Sequence, residues 1–253
     1  MEDLFGKVVL ITGGSSGIGA AMAEAFASKG AIVALHFNSG VDDARRIASG
    51  IEKKGGKVVM FKADLTDSRQ ATRLVEEVVQ KFGHIDILIN NAGSIVARVP
   101  LTEADDELIQ RVFDINARSM LSVTRSVVPI MKKRGGCTII NLTSQAARTG
   151  GSLGTGLYAS TKGYITTMTR ALAKELVMDG IRVNAIAPGV IDTPIHDGIT
   201  DQKTIETLKS AIPMRRLGTA KECAGAALFL ASEQLASYIT GQVIEVNGGQ
   251  IMP

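Results

Sequence analysis

Within "GLYASTKGYITTMTRALAKEL" (residues 156–176), Tyr158 and Lys162 stand four residues apart. The stretch reads as a helix, on which residues at that spacing share a face. A phenol ionises near pH ~10 and is a poor acid or base at neutral pH. A cation within a few ångströms favours the phenolate. Lys162 would supply that cation, and Tyr158 would then serve as a general acid/base. Reduction of a ketone needs this chemistry, because a proton must reach oxygen as hydride reaches carbon. Alone, the pair is an ordinary helix-stabilising contact, so its meaning depends on its surroundings.

A second set of residues suits a phosphate. "KVVLITGGSSGIGAAMAEAF" (residues 7–26) runs strand, glycine turn, helix. Gly13 permits a tight turn. Gly17 and Gly19 let backbone and helix approach a pyrophosphate, and the helix N-terminus favours the anion. The turn follows the first strand and opens a helix, which is the context a dinucleotide site requires.

The elements that must position these groups follow from the apolar pattern. Short β-branched runs recur at "KVVLIT", "AIVALHF", "KVVMFKA", "IDILIN", "CTIINLT", "IRVNAIA" and "QVIEV". Helix-length segments with apolar residues three and four apart lie between them, as at 17–29, 68–82 and 219–231. Strands alternating with helices predict an α/β, doubly wound (Rossmann) sheet of seven parallel strands, with helices on both faces. No linker or internal repeat divides residues 1–253, so a single domain is expected. The long departure is 190–212, "VIDTPIHDGITDQKTIETLKSAI". It has turn residues, then a short amphipathic helix, and is expected to be a lid over the carboxyl ends of the strands.

Further motifs lie at those strand ends: Asp64–Leu65, "NNAG" (Asn90–Gly93), Asn116, Ser144, "YASTK" (Tyr158–Lys162) and "PGVIDTP" (Pro188–Pro194). With the TGxxxGIG spacing of residues 12–19, they make the chain resemble the short-chain dehydrogenases/reductases from about Gly6 to Gly249. The compact branch is meant, with 3-oxoacyl-carrier-protein reductases and sugar or alcohol dehydrogenases among its members. The resemblance implies an NAD(P)-dependent oxidoreductase working between a carbonyl and a secondary alcohol. It implies Asn116, Ser144, Tyr158 and Lys162 as the catalytic set. Ser144 would hydrogen-bond the substrate oxygen, Lys162 would also bind the nicotinamide ribose, and Asn116 would hold a relay water. Ser144 precedes Tyr158 by fourteen residues, and Thr143 beside it stands as an alternative.

The same resemblance distributes the cofactor. Gly13, Ser15, Ser16, Gly17, Ile18 and Gly19 would take the pyrophosphate. Phe37, Asn38 and Ser39 would lie at the adenosine ribose, with Asp64 and Leu65 at the adenine. Asn91, Ala92 and Gly93 would border a ribose, while Asn90 ties neighbouring strands together. Pro188, Gly189, Ile191 and Thr193 would hold the nicotinamide, joined by Tyr158 and Lys162. No acidic residue stands near Phe37 to take a ribose 2′-hydroxyl, so NADP is favoured over NAD. Candidate substrate contacts are Ser94, Gln145, Arg148, Leu153, Ile195 and His196. The planar fork of Arg148 suits a carboxylate, so a small or medium polar, anionic carbonyl is expected. Met178–Asp179 departs from the basic residues of acyl-carrier enzymes.

Composition excludes other classes. The net charge is +3 and the basic residues are scattered, so neither nucleic acid nor a membrane surface is an expected partner. The N-terminus is acidic where a signal peptide is basic, and a cytoplasmic protein is expected. Cys137 and Cys223 form no CxxC pair, and His36, His84 and His196 are far apart, so no metal site is expected. Small residues on the Tyr158 helix (Ala159, Ser160, Gly163, Thr166, Thr167, Ala171) allow close approach to another helix. In relatives that helix packs on its copy, which implies a homotetramer. The rival function is a non-catalytic dinucleotide sensor or scaffold on the same fold, which would not need the four catalytic residues.

Overall fold

The computed structural model describes residues 1–196 and 202–252. Its strands are β1 (Val8–Ile11), β2 (Ile32–Phe37), β3 (Lys57–Lys62), β4 (Ile87–Asn90), β5 (Cys137–Leu142), β6 (Ile181–Pro188), β7 (Ile191–Asp192), β8 (Gly218–Thr219) and β9 (Val243–Val246). Seven of them form one parallel sheet in the order β3-β2-β1-β4-β5-β6-β9. These are the seven β-branched runs of the sequence. The short pair β7–β8 was not expected. It is only two residues long on each side, too short to carry a hydrophobic period.

The α-helices are α1 (Gly17–Ser28), α2 (Val41–Lys53), α3 (Ser68–Phe82), α4 (Asp106–Phe113), α5 (Ser119–Arg134), α6 (Ala146–Thr149), α7 (Gly156–Leu176), α8 (Gln202–Ala211), α9 (Ala220–Ala231) and α10 (Glu233–Ala236). Alternate strand residues face opposite layers. Val9, Ile11, Val33 and Leu35 pack with α1, α2 and α9. Val8, Leu10, Leu88 and Ile139 pack with α3, α5 and the end of α7. Local chemistry sets helix ends: Asp67 accepts from the Arg69 N–H before α3, and left-handed Gly83 ends it. Among the described residues, no helix is long and apolar enough to cross a membrane. Cys137 and Cys223 are both free and buried.

Strand order reverses between β1 and β4, where open sheets of this kind make their ligand crevice. A buried polar chain crosses the sheet beside that point. The Asn90 amide donates to Thr124 Oγ1 and Asn141 Oδ1, each at 2.9 Å, and Asn141 donates to Thr169 Oγ1 of α7. These bonds fix α5, β4, β5 and α7 in mutual register, because each buried polar atom costs more unpaired than paired.

The opposite end of the central strands is held by Asp86, only 2 % exposed. It accepts from Val8 N–H at 2.8 Å and Arg134 Nε at 2.6 Å, with His84 Nε2 at 3.1 Å and Lys7 Nζ at 3.7 Å. Burial raises this carboxyl, but the Val8 amide, Arg134 and Lys7 outweigh it and hold it below the usual carboxylate value. Its stabilisation is therefore present above the unfolded pKa of about 4 and is lost as pH falls through the lower folded value. Asp86→Ala leaves Arg134 and the Val8 N–H without their acceptor. It is expected to cost roughly 3–5 kcal/mol in a chemical unfolding titration at neutral pH.

Candidate active site

The glycine turn between β1 and α1 is braced from both sides. Asn91 Nδ2 donates to the Thr12 and Gly13 carbonyls, and the Asn91 and Ala92 N–H groups donate to Thr12 Oγ1. On the other side, His36 accepts the Gly13 N–H at its Nδ1 and the Gly14 N–H at its carbonyl. No protein acceptor among the described residues meets the N–H of Ile18 or Gly19. Those donors open α1, where an anion is favoured. A Cβ on Gly19 would overlap the Gly13 carbonyl oxygen and sit 2.5 Å from Asn91 Nδ2, so only glycine allows this turn.

Tyr158 and Lys162 lie on the first turns of α7, beside the end of β5. Lys162 is 4 % exposed, and its Nζ donates to the Leu142 carbonyl at 2.8 Å. Nζ stands 5.6 Å from the Tyr158 ring centroid. Burial lowers this lysine to about 8. Although Tyr158 lines an open cleft, the packing around it raises its phenol to about 12, against a smaller lowering by the Ser144 hydroxyl. The ammonium lies beside the ring, and desolvation prevails. A high phenol pKa suits donation: the proton stays on Tyr158 until an oxygen more basic than phenolate develops nearby.

Thr143 and Ser144 separate clearly. The Thr143 hydroxyl donates to the Lys162 carbonyl at 2.7 Å and is buried. Ser144 neighbours the phenol and accepts the Ala146 N–H.

Asn116 sits on a π-helical turn, Asp114–Arg118, joining α4 to α5. Its side chain exchanges hydrogen bonds with the Ser94 backbone, Nδ2 to O at 2.8 Å and Oδ1 from N at 3.0 Å, and also donates to the Val112 carbonyl. It thus clamps the loop after β4 to the joint between α4 and α5. A Cβ on Gly93 would stand 2.7 Å from Asn116 Oδ1 and 3.3 Å from Lys162 Nζ. In the clamped loop Val96 adopts φ +66°. A β-branched residue pays for that conformation, and such strain gathers at functional sites. Further on, Val99 N–H donates to the Gly154 carbonyl, and Arg98 Nη1 donates to Ser152 Oγ at 2.7 Å.

Together these segments enclose a cleft of about 480 Å³, from Ser16 and Ile18 at one end past Ser144 and Tyr158 to Arg98. Arg98 and Lys162 bring positive charge to the described lining. The side-chain oxygens of Gln145 and Gln250 are buried in its wall without a hydrogen-bond donor. Such atoms call for a donor from a ligand or water. Small Gly93, the unpartnered amides of α1 and these oxygens all fit an elongated polar ligand such as a dinucleotide with its substrate.

A family profile described as "Enoyl-(Acyl carrier protein) reductase" matches residues 13–250. The 3-oxoacyl-[acyl-carrier-protein] reductase FabG of Thermotoga maritima is 41 % identical over 251 residues, covering 98 % of this chain and 99 % of that protein. The chain is a short-chain dehydrogenase/reductase. The NADPH-dependent aldehyde reductase 1 of Arabidopsis thaliana is 39 % identical, covering 99 % of this chain and 88 % of that protein. Among solved structures, the NADH-dependent reductase A1-R′ responsible for alginate metabolism superposes with a TM-score of 0.92 at 38 % identity, covering 100 % of both chains. The same reductase in complex with NAD gives 0.88. Members of this family are NAD(P)-dependent oxidoreductases.

In this short-chain dehydrogenase/reductase, Ser16, Gly17, Ile18, Asn91, Gly93, Pro188, Gly189, Ile191 and Thr193 border the cleft, as do Ser94, Gln145 and Ile195. Other residues lie away from the described lining. Arg148 is ion-paired with Glu245 at 2.8 Å and does not line the cleft. Leu153 is 92 % exposed and also outside it. The Phe37 side chain packs in the apolar layer of α1 and α2, leaving Asn38 and Ser39 exposed at the strand end. Asp64 Oδ1 accepts from the Thr66 N–H and hydroxyl, forming a local turn. The His196 side chain and residues 197–201 of the expected lid lie outside the described residues. Sequence reasoning missed Arg98, Ser152, Gln250 and His36. Arg98, Ser152 and His36 act through contacts distant in sequence, for which only the basic or polar residue type was a signal.

Proposed function

We propose that the protein reduces a polar, anionic carbonyl compound with a nicotinamide dinucleotide, Tyr158 giving the proton. The observation that carries this reading is the phenol set beside Ser144 in the cleft, with buried Lys162 behind it. A nicotinamide held there would supply the hydride. Ser144 hydrogen-bonds the carbonyl oxygen and stabilises its growing charge. Tyr158 releases its proton to that oxygen once the oxygen is alkoxide-like. Lys162 holds ribose hydroxyls and favours the phenolate left behind. Asn116 keeps the 93–96 loop in place. These roles favour an enzyme over a dinucleotide sensor.

The substrate class rests on Arg98, which replaces Arg148 in this role. Arg98 borders the cleft, where its Nη1 donates to Ser152 Oγ, and its planar fork suits a carboxylate or phosphate. Gln145 and Gln250 would accept from substrate hydroxyls or amides. NADP is preferred modestly over NAD: Asn38 and Ser39 are exposed donors, and exposed Lys62 is the register partner of Phe37 on β3. A homotetramer is proposed because Ser160, Thr167 and Ala171 leave an exposed small-residue strip along α7. The free, buried cysteines accord with a cytoplasmic location.

The test is a panel of matched keto acids and neutral ketones with NADPH and NADH, followed by nicotinamide absorbance. NADPH is expected to lead by less than tenfold in kcat/KM. An NADH advantage of tenfold or more, about 1.4 kcal/mol, would reverse the preference. Arg98→Ala is expected to raise KM for the acids roughly 10- to 100-fold and to spare the neutral ketones, matching one lost charge-assisted bond. An equal effect on both sets would remove the anionic class.

A further inference from the structure

His36 of β2 is 2 % exposed and makes two side-chain contacts that no other group in the site repeats. Its Nδ1 lies 3.1 Å from the Gly13 amide nitrogen, and its Nε2 lies 3.0 Å from the Ala63 carbonyl oxygen. An amide N–H only donates and a carbonyl only accepts. One form of the ring satisfies both: neutral, with its proton on Nε2. The His36 carbonyl also accepts from Gly14 N–H at 2.8 Å. A single residue therefore binds two successive amides of the glycine turn. Through Ala63 it also reaches the residue preceding Asp64–Leu65.

We infer that His36 is a positioning residue of the dinucleotide site, locking the glycine turn to the end of β3 in its neutral form and releasing it on protonation. A proton on Nδ1 would confront the Gly13 N–H with a second donor. Gly13 would then turn away, carrying the unpartnered amides of Ile18 and Gly19 off their positions. Burial lowers this imidazole, with the Ala63 carbonyl and the Asp64 charge opposing in part, and the net value lies below the ordinary one. Among the described residues, Asp64 is the one charge acting on the ring. β1 and the glycine turn bring no ionisable side chain to it, and Lys62 of β3 lies on the opposite strand face from Phe61, the register partner of His36. Cofactor affinity is therefore full above the lowered pKa and falls below it, approaching tenfold per pH unit for one linked proton.

The inference rests on the dinucleotide reading, so the probe is NAD⁺ binding by calorimetry to the whole chain, from about pH 8 down to about pH 5. NAD⁺ carries no 2′-phosphate, whose own ionisation near pH ~6 would confuse the profile. Wild type should bind at the alkaline end and lose affinity on the acid side. His36→Asn keeps an amide oxygen near the place of Nδ1 but does not titrate, and should lose the acid-side fall. Its effect should appear in the cofactor Kd rather than in kcat at saturating cofactor. His84, paired with Asp86 at the opposite end of the central strands, serves as control: His84→Asn should retain the fall. Wild-type affinity that is flat across the range overturns the inference, whether or not either variant folds. So does an acid-side fall that persists in His36→Asn. Failure of NAD⁺ to bind at any pH overturns the dinucleotide reading itself, which is a separate result.

Discussion

Tyr158→Phe is expected to abolish measurable turnover while the protein still binds its dinucleotide. The substitution removes one oxygen and keeps the ring beside Lys162. What disappears is the proton held on a phenol raised to about 12, together with the hydrogen bond to Ser144. General acid/base catalysis contributes ~10²–10⁴-fold, and a reduction deprived of its phenol should lose at least that much. Among the described lining residues, the hydroxyls of Ser144, Thr149, Ser152 and Thr155 are weaker acids than a phenol and would not replace it. The measurement is single-turnover reduction beside a cofactor titration. Turnover within tenfold of wild type would remove Tyr158 from the acid role.

Lys162→Met should damage both halves of the reaction. The substitution keeps an unbranched apolar stem in a site that is 4 % exposed, so the fold is expected to survive. It deletes the Nζ that caps the Leu142 carbonyl and stands 5.6 Å from the Tyr158 ring. Losing a charged hydrogen-bonding group costs about 1.5–3 kcal/mol, so cofactor Kd should rise roughly 10- to 100-fold. Wild type adds a pH signature. Burial lowers Lys162 to about 8, so its charge is present below that value and lost as pH rises through it. kcat/KM, which reports the free enzyme, should fall on the alkaline side in wild type. That limb should be missing in Lys162→Met. An unchanged alkaline limb would assign it to another group.

The parts of the architecture visible in the sequence were those with a local period. β-branched runs such as "CTIINLT" could only be buried strands, and the glycine turn announced itself by opening a helix. Tyr158 and Lys162 were legible because helical spacing puts them together. Contacts between loops were not. Arg148 and Arg98 are the same residue type on two loops, and no local pattern says which one meets Glu245 and which meets Ser152. Pairing of Val99 with Gly154 decides that, and it joins segments more than fifty residues apart. His36 stands in an apolar strand, β2, but its partners, Gly13 and Ala63, follow two other strands.

The π-helical turn at Asp114–Arg118 makes the chain length at this joint a fixed quantity. A π turn takes in one residue more than an α turn, and each α-helical residue advances about 100° around the axis. Deleting one residue there would let α4 run straight into α5 as a single regular cylinder. Everything downstream on α5 would be rotated by that same quarter-turn or so. Val123, Val127 and Met131 would leave the sheet, and Thr124 would leave Asn90. The exposed stretch around Leu101–Glu103, by contrast, has slack to absorb a missing residue. Natural or engineered length variation in this protein should therefore accumulate before α4 and stop abruptly at the joint.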